Sequence, residues 1–354
     1  MKRKIIGIVY LLCIIPLWQA CTTRSRHNQI SNVLENYYDD GAFNGCILVA
    51  ERGSILIDTA MGMANFDTKK ALTTTSSFYL ASLSKQFTAM GIMLLEQQRK
   101  LSYEDPISKY VTPLPPFAQS ISIRNLLNHT SGIPDYFESD TLVKPGLSNA
   151  QVLSWLNQQK GLDFKPGSKF FYSNTGYLLL SEIIKRVSQK SYPQFMKQMI
   201  FDPLQMQHTS VFDSTTPPIQ NRAIGFNKNK DIDDYHILTT GDGGIFSTTH
   251  DLFKWDQALY NDTLLSPTAL ADAFRKPKLS NGNFSDYGFG WDIKEDESGR
   301  AVFHTGELNG YQTFIYRDIG KHNTIILLSN QGTALQMWPI ANEILSILSK
   351  PHLQ

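Results

Sequence analysis

Cysteine is scarce in this chain: three residues of 354, Cys13, Cys21 and Cys46. So few cannot build a disulfide framework, and no Cys/His spacing of a structural metal site occurs, so no metal or other cofactor is expected. Charge of one sign is lacking too. The net charge is +1 with Lys/Arg and Asp/Glu interspersed, which excludes the basic face of a nucleic-acid binder. There is no internal repeat and no low-complexity tract, so a solenoid or a disordered tail is not in question. Long apolar runs are also missing. The best one, Ile5 to Leu17, is too short and too interrupted by Pro16 for a comfortable membrane-spanning helix.

That run has another use. Lys2, Arg3 and Lys4 precede it and the small-residue junction Ala20-Cys21 follows, so residues 1–20 read as an export signal. Leu17-Trp-Gln-Ala-Cys21 resembles a bacterial lipobox, with Trp18 where leucine is usual. Cys21 would then be lipidated, residues 21–29 would form a polar tether, and residues 30–354 the functional domain. The expected location is outside the cytoplasm of a bacterium, as a periplasmic or outer-membrane lipoprotein that touches the membrane only through its anchor; simple secretion is the alternative. About 330 residues remain after cleavage, ample for a large core. Cys46, in the apolar run Cys46-Ile-Leu-Val-Ala50, reads as a small buried hydrophobe.

Strand signals lie at both ends of the mature chain. Gly45 to Ala50, a turn at Glu51-Arg52-Gly53, and Ser54 to Asp58 read as a hairpin. Late in the chain come Tyr287 to Ile293, Ala301 to His304, Gln312 to Arg317 and Thr324 to Leu328. The last is continuously apolar, as a strand covered on both faces would be. Helical patterns mark residues 32–38, fill the middle, at 123–127, 151–159, 175–187 and 192–200, and close the chain from about 334 to 349. The expected fold is α/β (α+β): an antiparallel sheet built from both chain ends and flanked by terminal helices, with an all-helical lobe, roughly 100–240, inserted between them. The junction of sheet and lobe is the natural cleft.

One tetrapeptide carries chemistry. Ser82-Leu-Ser-Lys85 opens an apolar stretch that includes Phe87, Met90, Ile92, Met93, Leu94 and Leu95, with Thr75, Ser76 and Ser77 as candidate helix caps. In a helix, residues three apart share a face, so the Ser82 hydroxyl and the Lys85 amine would meet near the helix start. A serine hydroxyl needs a base to become a nucleophile, and a buried lysine can lose its proton and act as one. Alone, Ser-x-x-Lys is weak, because it arises by chance in many helices. Two more patterns stand downstream: Tyr172-x-Asn174, between the turn Lys165-Pro-Gly167 and a helix, and His304-Thr305-Gly306, at a strand end before the turn Leu308-Asn-Gly310. Each has a plain structural reading as well, a packed aromatic with a helix cap and a strand running into a hairpin.

In this order and at these separations the three patterns resemble those of the serine beta-lactamase and penicillin-recognising hydrolases, nearest to the class C enzymes and their esterase and D-peptidase kin. Scaffold stretches extend the likeness over nearly the whole mature chain: Leu126-Leu-Asn-His-Thr-Ser-Gly-Ile-Pro134, Phe201-Asp-Pro-Leu204, Gly243-Gly244 and Tyr287-Gly-Phe-Gly-Trp291. The resemblance implies an α/β sandwich with a helical lobe. It implies Ser82 as the acylated nucleophile, Lys85 as its proton partner, and Tyr172 as general base and then general acid. Asn174, His304, Thr305 and Gly306 would bind substrate, and the N–H groups of Ser82 and Glu307 would form the oxyanion hole. Family lactamases usually carry lysine where His304 stands, and its charge helps hold a carboxylate. Histidine is mostly neutral at pH 7, so esterase or D-amino-acid peptidase activity is expected ahead of beta-lactamase or D-Ala-D-Ala carboxypeptidase activity. A His304→Lys change should narrow that difference. A penicillin-binding sensor that acylates without turnover is the alternative from another class. The expected partner is a small acyl ester, peptide or beta-lactam, with no nucleic acid. His129 and His250 read as structural.

Overall fold

The computed structural model describes residues 17–297, 299–332 and 337–350, with residues 17–25 as backbone only. Most of the expected export signal and the Cys21 side chain therefore lie outside the described residues. Six strands make one antiparallel sheet: β1 (Gly45–Glu51), β2 (Ser54–Met61), β3 (Asp292–Asp296), β4 (Gly299–Leu308), β5 (Tyr311–Asp318) and β6 (Asn323–Ser329). Their spatial order is β2-β1-β6-β5-β4-β3. The two chain ends meet at β1 and β6, in register from Gly45 opposite Ser329 to Ala50 opposite Thr324. The β1–β2 turn places Arg52 and Gly53 at φ of 53° and 76°, the left-handed pair that matches the twist of a tight hairpin.

Because strand side chains alternate faces, one apolar run serves two cores. Ile326 and Leu328 of β6, with Cys46 and Leu48 of β1, face the helical side, whereas Ile325 and Leu327, with Ile47 and Val49, face the terminal helices. All eight are fully buried. Each fully buried aliphatic side chain contributes about 1.5–3 kcal/mol, which makes this seam a main source of stability. The terminal helices α1 (Leu17–Asp39) and α9 (Met337–Ser349) cover the outer face through Ile30, Leu34, Ile340 and Ile344. The stretch expected as a polar tether, 21–29, is helical, part of α1, and Arg26 pairs with Glu51.

On the inner face lie α2 (Ser84–Gln97), α3 (Ile123–Leu127), α4 (Asn149–Leu156), α5 (Asn174–Ser188), α6 (Tyr192–Met196), α7 (Thr249–Ala258) and α8 (Pro267–Leu270). The lobe is not all-helical. Ser210–Val211 joins Ile245–Ser247 and Phe78–Tyr79 in a three-stranded patch, and residues 213–240 are mostly irregular. Two sequence expectations change for related reasons. Thr75, Ser76 and Ser77 do not cap α2, because Phe78 and Tyr79 are drawn into that patch, paired with Ser247 and Phe246. Tyr287 to Gly290 is a loop rather than a strand. Gly290, at φ 78°, lies so close to Gln86 and Lys85 that a Cβ there would meet their backbone at 2.9 Å. That loop is pressed onto the start of α2.

Candidate active site

Ser82 stands on a tight 3-10 turn, Ala81–Leu83, that runs straight into α2. The residue before it, Ala81, is at φ 49°, a conformation that costs a non-glycine residue on the order of 1–3 kcal/mol and tends to occur at functional turns. Lys85, three residues on, is fully buried. Its Nζ donates to Ser82 Oγ at 2.9 Å, to Asn174 Oδ1 at 2.8 Å and to the Asp242 carbonyl at 3.0 Å. Three acceptors match the three protons of an ammonium. Burial nonetheless lowers its pKa to about 8, against the opposing pull of Asp242 and Asp135. Amine and ammonium are both within reach near neutrality.

This value fixes a sign. The folded-state pKa lies below the unfolded value of 10.5, so the cost of burying the charge is present below about pH 8 and is relieved as pH rises toward 10.5. Wild-type Tm should rise relative to that of Lys85→Met between pH 7 and 9.5. A difference that does not move with pH contradicts the assignment.

Tyr172 lies beside Ser82, and its ring is 4.8 Å from Lys85 Nζ. Burial pushes its phenol well above 10, and the nearby Ser82 hydroxyl offsets this only in part. The hydroxyl is therefore not ionised at neutral pH. His129 packs against the same ring at 4.2 Å, and its Nδ1 accepts the Ser173 N–H at 3.1 Å. Burial, helped by Lys85, holds this imidazole neutral. The histidine read as structural thus acts as a plate that fixes the tyrosine. Asn174 begins α5, whose first N–H is capped by a distant side chain: Asp135 Oδ1 accepts it at 3.1 Å, and Asp135 Oδ2 accepts Asn174 Nδ2 at 3.0 Å. Asn174 therefore presents its oxygen to Lys85.

The third wall is β4. His304 Nδ1 donates to the Thr305 carbonyl at 2.6 Å, leaving Nε2 to accept the Tyr287 hydroxyl at 2.8 Å. Burial and then the nearby Lys85 lower its pKa to about 3, so His304 is neutral at any physiological pH. Thr305 and Glu307 are exposed toward the cleft. Leu308 pairs with Tyr311 across the two-residue turn, which makes Glu307 opposite Gln312 a pair without ladder bonds. The Glu307 N–H consequently points away from β5. Gly306 lets this strand lie on the Ser82 turn: a Cβ there would overlap the Leu80 carbonyl and Thr313 Oγ1 and come within 3.2 Å of Ser82 N. Gly306→Ala should displace the strand and cost activity at least tenfold with a lowered Tm. Unchanged activity would mean that the strand–turn contact does not position the site.

Ser82, Tyr172, Asn174, His304, Thr305 and Glu307 all line one cavity of about 540 Å³, with Lys85 and Gly306 buried behind it. Asp242, Asp292 and Phe170 line it too, and among the described residues no lysine or arginine does. The sequence reading missed Asp135, Asp242, Asp292 and Tyr287 as site residues. Asp135 follows the quoted Ser-Gly-Ile-Pro134 stretch and Asp242 precedes Gly243-Gly244, so their signals were adjacency to scaffold motifs. Taken together, the arrangement can deliver a serine hydroxyl to a carbonyl, accept its proton and hold an oxyanion.

A family model described as beta-lactamase matches residues 30–345. The chain belongs to the beta-lactamase family. Among relatives of this family, penicillin-binding protein 4* of Bacillus subtilis is 37% identical over 329 residues, covering 87% of this chain and 72% of that protein. The octameric penicillin-binding protein homologue from Pyrococcus abyssi superposes with a TM-score of 0.79 at 26% identity, over 91% of this chain and 76% of that one. D-amino acid amidase from Ochrobactrum anthropi SV3 shares the beta-lactamase-family fold at 24% identity and a TM-score of 0.78, over 92% and 98%. Members of the family are serine hydrolases that act on esters, amides or beta-lactams.

Proposed function

We propose that this chain is an extracytoplasmic serine hydrolase that forms an acyl-enzyme at Ser82 on esters or amides, of carboxylesterase or D-amino-acid peptidase type. The observation that carries the reading is the set Lys85, Ser82 and Asn174, joined by hydrogen bonds with Tyr172 beside them, at a cavity that no lysine or arginine among the described residues lines, Lys85 lying behind it. Ser82 Oγ attacks the substrate carbonyl and its proton passes to neutral Lys85. Tyr172, whose phenol burial holds well above 10, acts in this reading as general acid rather than as general base. As an intact phenol it hands a proton to the leaving group and is reprotonated from Lys85. The tetrahedral oxyanion lies between the N–H groups of Ser82 and Glu307. Hydrogen-bond donors aimed there act where charge develops, and losing one typically costs about 10²–10³ in rate. Water then attacks the acyl-enzyme with the same groups acting in reverse.

Beta-lactams and D-Ala-D-Ala peptides carry a carboxylate, which this cavity meets with neutral His304 and with the side chains of Glu307 and Asp292. The kcat/KM for p-nitrophenyl butyrate should exceed that for nitrocefin. A wild type that prefers nitrocefin overturns the esterase reading, and a burst without steady-state turnover on both substrates makes the protein a sensor. The lysine substitution now has a different expected result. At position 304 the ammonium would be buried near Lys85 and would remove the acceptor of Tyr287. His304→Lys should lower kcat/KM on both substrates rather than narrow the difference.

We propose export and lipid attachment at Cys21, supported by the basic start, the apolar run and Ala20. Among the described residues, no helix is long and apolar enough to cross a membrane.

A further inference from the structure

The proposed acyl transfer needs a nucleophile, a base and an oxyanion hole, but it does not need Asp292. This residue opens the edge strand β3, opposite Phe303, and lines the same cavity as Ser82 and Tyr172. Among the described residues no hydrogen bond or ion pair engages its carboxylate. Burial, reinforced by Asp286, raises its pKa to about 7. Its acidic neighbour Asp286 already has a partner of its own, Lys276 at 2.6 Å. Lys85 is spent on Ser82, Asn174 and Asp242. A half-buried carboxylate with no partner among the described residues, in a cavity that none of their lysines or arginines lines, is an unmet demand for positive charge. The cavity answers with a second feature, the exposed aromatic ring of Phe170 on its wall. A carboxylate beside aromatic faces is the chemistry that holds an organic ammonium.

We propose that Asp292 is a specificity residue that receives an ammonium group of the substrate, so that cationic esters or amides are preferred over neutral ones. The proposal rests on the Ser82 hydrolase reading and narrows its substrate class. A well-placed charge-assisted hydrogen bond or ion contact of this kind corresponds to a preference of roughly tenfold to a hundredfold.

The test uses two pairs of fixed-charge isosteres on the mature protein at pH 8, where Asp292 is ionised. Butyrylthiocholine against 3,3-dimethylbutyl thiobutyrate places the charge in the leaving group. The p-nitrophenyl esters of 4-(trimethylammonio)butyrate and 5,5-dimethylhexanoate place it in the acyl group. Wild type should prefer the cation at least tenfold in kcat/KM in one pair. The ratio should fall to near one in Asp292→Asn and be retained in part in Asp292→Glu, with Tm shifts of a few degrees at most. No preference in either pair overturns the proposal without any variant, and a ratio that survives Asp292→Asn overturns it as well. Turnover of none of the four above the Ser82→Ala background is a separate outcome: it removes the hydrolase reading and the specificity with it.

Discussion

Ser82→Ala should reduce hydrolysis of p-nitrophenyl butyrate by about 10⁴–10⁶ in kcat, the range seen when a catalytic nucleophile is deleted. The fold should survive. Ser82 is only half-buried, and its hydroxyl is one of three acceptors around Lys85, so Asn174 and the Asp242 carbonyl still hold the amine. Loss of one such hydrogen bond costs on the order of 1 kcal/mol, a Tm shift of a few degrees in a domain of this size. Steady-state rates and a melting curve on the same preparation check both halves. Residual activity above a few per cent, with correct folding, would mean that another group is acylated.

Tyr172→Phe is the next largest expected loss, about 10²–10⁴ in kcat, the usual contribution of one general acid–base group. The ring contacts at 4.2 Å to His129 and 4.8 Å to Lys85 do not depend on the hydroxyl, so Tm should hardly move. The loss should be larger for an anilide than for a nitrophenyl ester, because the poorer leaving group depends more on the proton that Tyr172 supplies. Equal losses on both, or activity near wild type, would reduce Tyr172 to a packing residue.

Local pattern determined what was legible. Thr324 to Leu328 is apolar at every position after the first, and only a strand covered on both faces suits that, as β6 is. Glu51-Arg52-Gly53 has the residues a tight turn needs, and the hairpin forms there. Ser-x-x-Lys could be read because helical periodicity alone brings its two side chains together. The failures came from distant chain. Nothing around Ser77 says that Phe78 and Tyr79 will be claimed by residues 246 and 247, yet that pairing delays α2 and puts Ser82 on a strained turn. Tyr287-Gly-Phe-Gly-Trp291 alternates like a strand, but its glycines serve close backbone approach to Ala273 and to the start of α2. Asp135, His129 and Asp242 each look ordinary in sequence. They matter because α5, the 128–135 segment and the 239–244 turn converge on one lysine. The low pKa of His304 is likewise a product of burial, which no single-residue reading supplies.

The central claim is acylation of Ser82, and active-site labelling tests it most directly. After incubation with a fluorophosphonate, intact-mass and peptide-mapping mass spectrometry should find one adduct per chain, on Ser82. An adduct on Ser84 or on any other serine, or no adduct on folded protein that still hydrolyses esters, would contradict the account.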